Sequence, residues 1–241
     1  PEALRSGVET YHALKAVLME EGLLGGVGDE GGFAPNLPRN EDGLRYVLDA
    51  IERAGYAPGA QISIALDVAA QEFCQGDGYH MDGQVLSGTE LGDLYSEWLD
   101  SYPIVSIEDP FGEDDWESWI EFTEREGRRV QIVGDDLYVT NPDRLLRGID
   151  SGATNAILVK LNQIGTVTET IEVIRMARDA GFGTVISHRS GETSDDVIAD
   201  LAVGTDAGQI KTGAPARSDR TAKYNQLLRI AEQIDIYTDL F

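Results

Sequence analysis

The stretch NAILVKLNQIG, residues 155–165, carries the clearest fold signal in the sequence. Its unbroken apolar run, 156–159, favours a strand buried on both faces, which is typical of parallel sheets. The run ends on Lys160, in a chain that has only four lysines against fifteen arginines. Lys211 closes the similar stretch DAGQIK, residues 206–211. Half of a scarce residue type therefore lies at the ends of predicted strands.

Strand-like and helix-like segments alternate along most of the chain. Two amphipathic helices are predicted first, one through Leu4 to Leu18 and one over 42–54. The predicted strands are ISIALD (62–67), PIVSIED (103–109), VQIVGDD (130–136), NAILVK (155–160), GTVISH (183–188) and DAGQIK (206–211). Helices are predicted after them at 89–99, 116–126, 142–147, 166–180, 194–203 and 222–234.

This order is typical of βα units around a parallel sheet. It predicts an α/β fold, a TIM-type β/α barrel, with residues 1–241 forming a single domain. An open doubly wound sheet is the alternative architecture. The long first connection contains a Gly-rich insertion, CQGDGYHMDGQ (74–84), which indicates a small hairpin or loop.

Charge and composition exclude several classes of partner. A net charge of −24 argues against binding to nucleic acid or to an anionic membrane surface, because both would be repelled. The acidic balance also predicts a halophilic protein that stays soluble at high salt, with an ordinary acidic protein as the alternative. The single cysteine, Cys74, cannot form an internal disulfide, which fits a reducing cytoplasm. No apolar run approaches 18 residues, so no membrane insertion is expected.

Three carboxylates follow successive predicted strands: Asp67, Glu108 and Asp135. In a β/α barrel the carboxyl ends of the strands meet at one mouth, so these groups would repel one another there. A divalent cation removes the repulsion, and oxygen-only ligands favour Mg²⁺. Ion pairing with Lys160 and Lys211 is the alternative and is compatible with a metal.

Lys160 is a candidate general base, because a lysine in a partly dry pocket near a cation loses its proton more readily. Schiff-base formation with a carbonyl substrate is the competing role. The carboxylate site favours proton abstraction, since a metal stabilises the charge that is left behind. Glu30, in the acidic Gly-rich loop GGVGDEGGFAPN (25–36), is the best candidate for a general acid, although a plain turn explains that loop equally well.

The stretch VISHRSGETSDD, residues 185–196, predicts an anion site after a strand. His188 ends the strand, Arg189 and Ser190 follow, and Ser194 is a candidate helix cap. An arginine beside a hydroxyl and a helix N-terminus suits a phosphate or a carboxylate. A surface ion pair is the alternative role for Arg189.

Several long strings, taken in order, resemble the enolase family. They are GDEGGFAPN, ALDVAAQEF, SIEDPF, VGDDLYVTNP, LVKLNQIGT, SHRSGET, QIKTGAPARSDR and AKYNQLLRI. The resemblance covers nearly the whole chain. It implies reversible, magnesium-dependent dehydration of 2-phosphoglycerate to phosphoenolpyruvate in glycolysis and gluconeogenesis, by a cytoplasmic homodimer.

The resemblance also implies a role for each matching residue. Lys160 is similar to the base and Glu30 to the acid, whereas Asp136 is similar to a group that orients Lys160. The residues that match the magnesium ligands are Asp67, Glu108 and Asp135. Those that match substrate-binding positions are Arg189 and Ser190 for the phosphate, Lys211 for the carboxylate, and His188.

Members of the family also have an N-terminal capping domain and two strands that begin the barrel. Residues 1–241 resemble only the αα(βα)₆ portion that follows, so we expect this portion alone to be weakly active or inactive. Two alternatives are another dehydratase or racemase of the superfamily, and a non-catalytic binding or scaffold protein derived from it.

Overall fold

The computed structural model describes residues 1–234, in which two helices precede six strand-helix units. The helices are α1 (Glu2–Glu20), α2 (Asn40–Arg53), α3 (Gly88–Ser101), α4 (Trp116–Glu126), α5 (Pro142–Ser151), α6 (Leu161–Ile164), α7 (Val167–Asp179), α8 (Val197–Gly204) and α9 (Ser218–Ala231). The strands are β1 (Ile64–Asp67), β2 (Cys74–Gln75), β3 (Gly78–Met81), β4 (Gln84–Leu86), β5 (Ile104–Glu108), β6 (Gln131–Gly134), β7 (Ala156–Val159), β8 (Gly183–Ser187) and β9 (Gly208–Lys211). The predicted alternation is confirmed, and the last seven residues of the predicted 1–241 domain lie outside the described residues.

The chain divides into two compact units, one formed by 63–185 and the other by 1–62 with the residues from 186 onward. In the first unit, a sheet runs in the order β1-β5-β6-β7-β8, and the pairs β1/β5, β5/β6 and β6/β7 are parallel. All four residues of β7 are buried, as its apolar sequence predicts. Val133, Ala156, Leu158 and Val185 form a buried cluster across these strands.

The Gly-rich insertion forms a small antiparallel sheet of β2, β3 and β4 in that order. The prediction of a hairpin or loop at 74–84 is therefore confirmed. Tyr79 on β3 is buried and links this sheet to the loop after β5. Its hydroxyl accepts a hydrogen bond from the Gly112 backbone N–H at 3.0 Å.

An aromatic cluster anchors the loop that follows β5. The buried ring of Phe111 lies edge-on to Tyr95, Trp119 and Phe122, with centroids 5.6–6.1 Å apart. The Tyr95 hydroxyl donates to the Pro110 carbonyl, and the Trp119 indole N–H donates to the Gly112 carbonyl, each at 3.0 Å. Helices α3 and α4 thereby fix the backbone immediately beyond Glu108.

The second unit contains α1 packed on α2 and α8 packed on α9. In its sheet the end of β8 neighbours β9. The His188 N–H, just past β8, donates to the Lys211 carbonyl at 3.0 Å. Tyr11 on α1 stacks on Phe33, and its hydroxyl donates to the Gly31 carbonyl at 3.0 Å, so α1 supports the loop that carries Glu30.

Two local predictions were incomplete or wrong. The short helix α6 directly after Lys160 was not predicted. Ser194 does not cap a helix: α8 begins at Val197, and the Asp195 carboxylate accepts the Val197 N–H at 3.0 Å. The backbone before it is turned because the Glu192 carboxylate accepts the N–H groups of Arg189 and Thr193.

None of the helices in the described part of the chain combines the length and the apolar character needed to cross a bilayer.

Replacing Trp119 with alanine should lower the free energy of unfolding by about 3–5 kcal/mol, because it removes a fully buried ring that packs against Phe111 in the aromatic cluster. Urea unfolding followed by circular dichroism would measure the loss. Leu146→Ala, at a side chain 49% exposed on α5, is the control and should change stability by about 0.5 kcal/mol or less. Equal effects from the two variants would contradict the assigned core.

Candidate active site

Strand register brings the predicted metal ligands of the 63–185 unit to one face of the sheet. Asp67 pairs with Glu108, and Glu108 pairs with Val133, two residues before Asp135. Val133 in turn pairs with Ala156, four residues before Lys160. Because side chains alternate with a period of two, Asp67 and Glu108 point to the same face, and the even offsets extend this expectation to Asp135 and Lys160, each one residue beyond its strand. Glu108 and Asp135 are buried, whereas Asp67 is exposed.

Lys160 contacts Asp135 directly. The Lys160 Nζ lies 2.5 Å from Asp135 Oδ2, and both side chains are largely buried. The Lys160 backbone N–H donates to Thr140 Oγ1 at 3.0 Å, and that hydroxyl donates to Gln163 on α6. Helix α6 and the loop after β6 therefore fix the backbone from which the ammonium projects.

The second carboxylate oxygen of Asp135 is buried, and no hydrogen-bond partner is found for it in the part of the chain that the structure describes. Leaving an anionic oxygen buried without a partner is costly. Carboxylate oxygens of Asp109, Asp135 and Asp136 also lie within 4.8 Å of one another. Burial, followed by the charge of Asp135, raises the pKa of Asp136. Crowded acidic oxygens with one unsatisfied position fit a hard divalent cation such as Mg²⁺.

Asp109 belongs to this cluster but was missed in the sequence. Its two carboxylate oxygens accept the backbone N–H groups of Asp135 and Asp136, at 2.9 and 2.8 Å. Burial raises the pKa of Asp109 to about 8, although both amide donors favour its charged form. We interpret Asp109 as a clamp that fixes the backbone of Asp135. The available sequence signal was an additional carboxylate directly after a strand, in SIEDPF.

Backbone strain is concentrated in the same loops. Asp109, Val139 and Thr140 have positive φ angles of 43°, 46° and 55°. Such conformations are unfavourable for residues with a Cβ, above all for β-branched ones, and they persist where surrounding contacts hold them. Here the contacts include both amide bonds to Asp109 and the hydroxyl of Thr140. The strain therefore lies in the two loops that position Asp135 and Lys160.

In the other unit, Glu30 lies beside the buried His188. The distance from Glu30 Oε2 to His188 Nε2 is 3.3 Å. The contact with His188 lowers the pKa of Glu30 to about 2, against the opposing effect of burial and with smaller contributions from the positive charges of Lys211 and Arg220. The Glu30 carbonyl accepts the Ala214 N–H at 2.9 Å, and Gly31 adopts φ +85°. A side chain at Gly31 would meet the Ala216 carbonyl at 2.9 Å, so glycine permits this close approach.

The predicted anion-binding residues lie in the same unit. Ser190 is exposed, whereas Arg189 and Lys211 are half-buried. Arg189 and Ser190 follow β8, and Lys211 ends β9, the neighbouring strand. Two cations and a hydroxyl thus lie at the ends of adjacent strands, an arrangement suited to an anionic ligand.

A family model described as "Enolase, C-terminal TIM barrel domain" matches residues 1–239. The chain belongs to the enolase family. Two curated proteins named Enolase, from Natranaerobius thermophilus and Acidothermus cellulolyticus, are 58% and 59% identical to it over 234 residues. These alignments cover 96% and 97% of this chain and 55% and 54% of the relatives.

Membership of the enolase family confirms the predicted TIM-type fold class, and the open doubly wound sheet is set aside. The chain spans about half the length of the curated relatives it matches. The roles assigned to individual residues and the extent of the domain stay predictions.

If the Asp109, Asp135 and Asp136 cluster binds Mg²⁺, Asp109→Asn should weaken that binding about 10-fold or more, the usual effect of removing a group that orients a metal ligand. The asparagine oxygen can accept one of the two amide N–H groups, but its NH₂ would oppose the other. Titration calorimetry with MgCl₂ would measure the dissociation constant. Asp150→Asn, at an exposed carboxylate on α5, is the control. An unchanged constant for Asp109→Asn would refute the clamp.

Glu30 should contribute to acid stability. Its folded pKa is about 2 against an ordinary 4.5, so its stabilising contribution is complete above about pH 4.5 and disappears towards pH 2. Glu30→Gln should therefore reduce the loss of stability over that range. Urea unfolding at several pH values would show the difference, with Asp29→Asn, at an 84% exposed neighbouring side chain, as control. Parallel pH curves for Glu30→Gln and the unaltered protein would exclude this contribution.

Proposed function

We propose that the protein catalyses the reversible, magnesium-dependent dehydration of 2-phosphoglycerate to phosphoenolpyruvate, a step of glycolysis and gluconeogenesis. Membership of the enolase family supports this reaction. The observation that carries it is the buried Asp135, with one oxygen on Lys160 and the other unsatisfied. A lysine base beside an incomplete carboxylate site suits proton removal next to a carboxylate group.

Lys160 is proposed as the base that removes the proton from the carbon beside the substrate carboxylate. To act, the amine must lose its own proton and still point at the reacting carbon. Its backbone is fixed through Thr140, and its ammonium is held by Asp135 before substrate arrives. Those contacts limit the reorganisation needed at the moment of transfer.

Glu30 is proposed as the acid that protonates the departing 3-hydroxyl group. In the absence of substrate its pKa of about 2 leaves it ionised, which is the form needed to take a proton from water in the reverse direction. A bound substrate carries negative charges, which favour protonation of a nearby carboxylate. The same group can then donate during dehydration.

Asp67, Glu108 and Asp135 are proposed to hold Mg²⁺. The ion would stabilise the negative charge that develops on the substrate carboxylate when the proton leaves. Arg189 and Ser190 are proposed to bind the phosphate, Lys211 the carboxylate, and His188 the substrate near Glu30.

We further propose a cytoplasmic homodimer with a single catalytic domain over 1–241, and a requirement for high salt. The family relationship supports the homodimer and the single domain. The single cysteine, which cannot form a disulfide within the chain, supports the cytoplasm, and the net charge of −24 supports the salt requirement. Each stays a prediction.

Activity should depend on Lys160 and on Mg²⁺. The protein, with any residues its gene encodes outside 1–241, would be given 2-phosphoglycerate, and the ultraviolet absorbance of the enol product followed with and without MgCl₂. Lys160→Ala should reduce kcat by about 10³-fold, within the range for a lost general base. Lys15→Ala removes the same charge from an exposed position on α1 and should leave kcat unchanged.

Other outcomes would identify the alternatives. Full turnover by Lys160→Ala would exclude this lysine as the base. Turnover of sugar acids in place of 2-phosphoglycerate would indicate another superfamily reaction. Mg²⁺ binding without turnover of either would favour a binding or scaffold role.

A further inference from the structure

Arg220 is the most deeply buried charged side chain in the unit that carries Glu30. It lies in the first turn of α9, and its side chain has no solvent exposure. A buried guanidinium is costly unless its N–H groups are paired. Its Nε lies 3.2 Å from the Asp219 carboxylate without a formed hydrogen bond among the described residues, whereas its terminal nitrogens bond to other segments of the chain.

Those contacts join two loops that carry predicted site residues. Nη2 donates to the carbonyls of Asp29, at 3.0 Å, and Ser190, at 2.7 Å. Nη1 donates to the Arg189 carbonyl at 2.8 Å and to His188 Nδ1. One planar group thus holds the backbone beside Glu30 and the backbone of the proposed phosphate-binding residues.

The contact with His188 fixes the position of a proton. A guanidinium stays protonated and can only donate, so His188 Nδ1 has to accept. The imidazole is then the neutral tautomer with its hydrogen on Nε2. Nε2 is the nitrogen that lies 3.3 Å from Glu30 Oε2. Arg220 therefore places the hydrogen of His188 on the nitrogen nearest to Glu30, although this 3.3 Å contact is not a formed hydrogen bond in the structure.

The packing around Arg220 leaves little freedom for other arrangements. A side chain at Gly213 would meet Arg220 Cδ and the Glu30 carbonyl, each at 2.7 Å. Gly213 also adopts φ +84°, which favours glycine. Arg220 is consequently in close contact with the loop after β9 and with the backbone of Glu30. A smaller or non-planar cation would leave some of the carbonyls of Asp29, Arg189 and Ser190 without a donor.

We propose that Arg220 is a positioning residue, which fixes the Nε2–H tautomer of His188 and aligns the Glu30 loop with the Arg189–Ser190 loop. Its kinetic consequence rests on the proposed dehydration, whereas its effect on the tautomer does not. Loss of Arg220 should reduce kcat through Glu30 and raise KM through Arg189 and Ser190.

The first test uses the unaltered protein with ¹⁵N-labelled histidine rings. The chain has three histidines, so His188 can be assigned by comparison with His12→Gln and His80→Gln variants. We expect an unprotonated Nδ1 and a protonated Nε2 at neutral pH. A hydrogen on Nδ1, or a mixture of tautomers, would overturn the proposal whatever the enzymatic activity is.

The second test compares Arg220→Lys with a matched control, Lys223→Gln. Lys223 is also buried on α9, but it bonds to Glu192 and to the Thr193 and Asp219 carbonyls rather than to His188 or Asp29. Arg220→Lys keeps the charge but loses the planar fork, so we expect mixed His188 tautomers and a fall in kcat of about 10²-fold, as small misplacements of catalytic groups produce. Lys223→Gln should keep the Nε2–H tautomer.

The outcomes separate the two proposals. An inactive unaltered protein with the expected tautomer would refute the dehydration but support the role of Arg220 in fixing His188. An active protein in which Arg220→Lys changes neither the tautomer nor kcat would refute the positioning role alone. Should Arg220→Lys fail to fold, as judged by circular dichroism, the tautomer in the unaltered protein decides.

Discussion

The buried carboxylate of Asp135 is the constraint around which the proposed catalytic residues of the 63–185 unit are arranged. One oxygen is held by Lys160, and the other is buried without a hydrogen-bond partner among the described residues. The Asp109 carboxylate clamps the backbone of Asp135, and the Thr140 hydroxyl, on a strained loop, fixes the backbone of Lys160. Such an arrangement is unfavourable for stability alone, but it suits the cation site proposed here.

In the unit that carries Glu30, buried charges are stabilised in a different way. There the deeply buried charges are cations, Arg220 and Lys223, and their N–H groups donate mainly to backbone carbonyls of loops. Those bonds stabilise loop conformations that apolar packing alone would not specify. A site with an unsatisfied acidic oxygen and a site with bonded cations have complementary chemistry, since one suits a metal and the other suits an anionic substrate.

The sequence predicted the features that depend on pattern. Buried parallel strands produce apolar runs such as 156–159, and polar residues at the carboxyl ends of strands share one edge, so Asp135 and Lys160 were correctly expected to meet. It did not predict Asp109 or Arg220, because most of their partners are backbone N–H and carbonyl groups, which residue types do not reveal. For Arg220 these partners lie about 30 and 190 residues away along the chain. The wrong cap at Ser194 has the same origin, since a carboxylate bonded to the backbone redirected that loop.

Glu30 shows how the two directions of the proposed reaction can share one carboxylate. Its neighbours, His188 first, stabilise the ionised form and lower its pKa to about 2. Because His188 Nδ1 accepts from Arg220, the hydrogen on Nε2 is directed at this carboxylate, and a neutral imidazole supports the charge without supplying a proton of its own. Protonation of Glu30 must then accompany the arrival of an anionic substrate, which offsets the stabilisation by Lys211 and Arg220. Glu30 would therefore be protonated, and able to act as an acid, only when the substrate is bound. This limits unproductive proton transfer in the empty site.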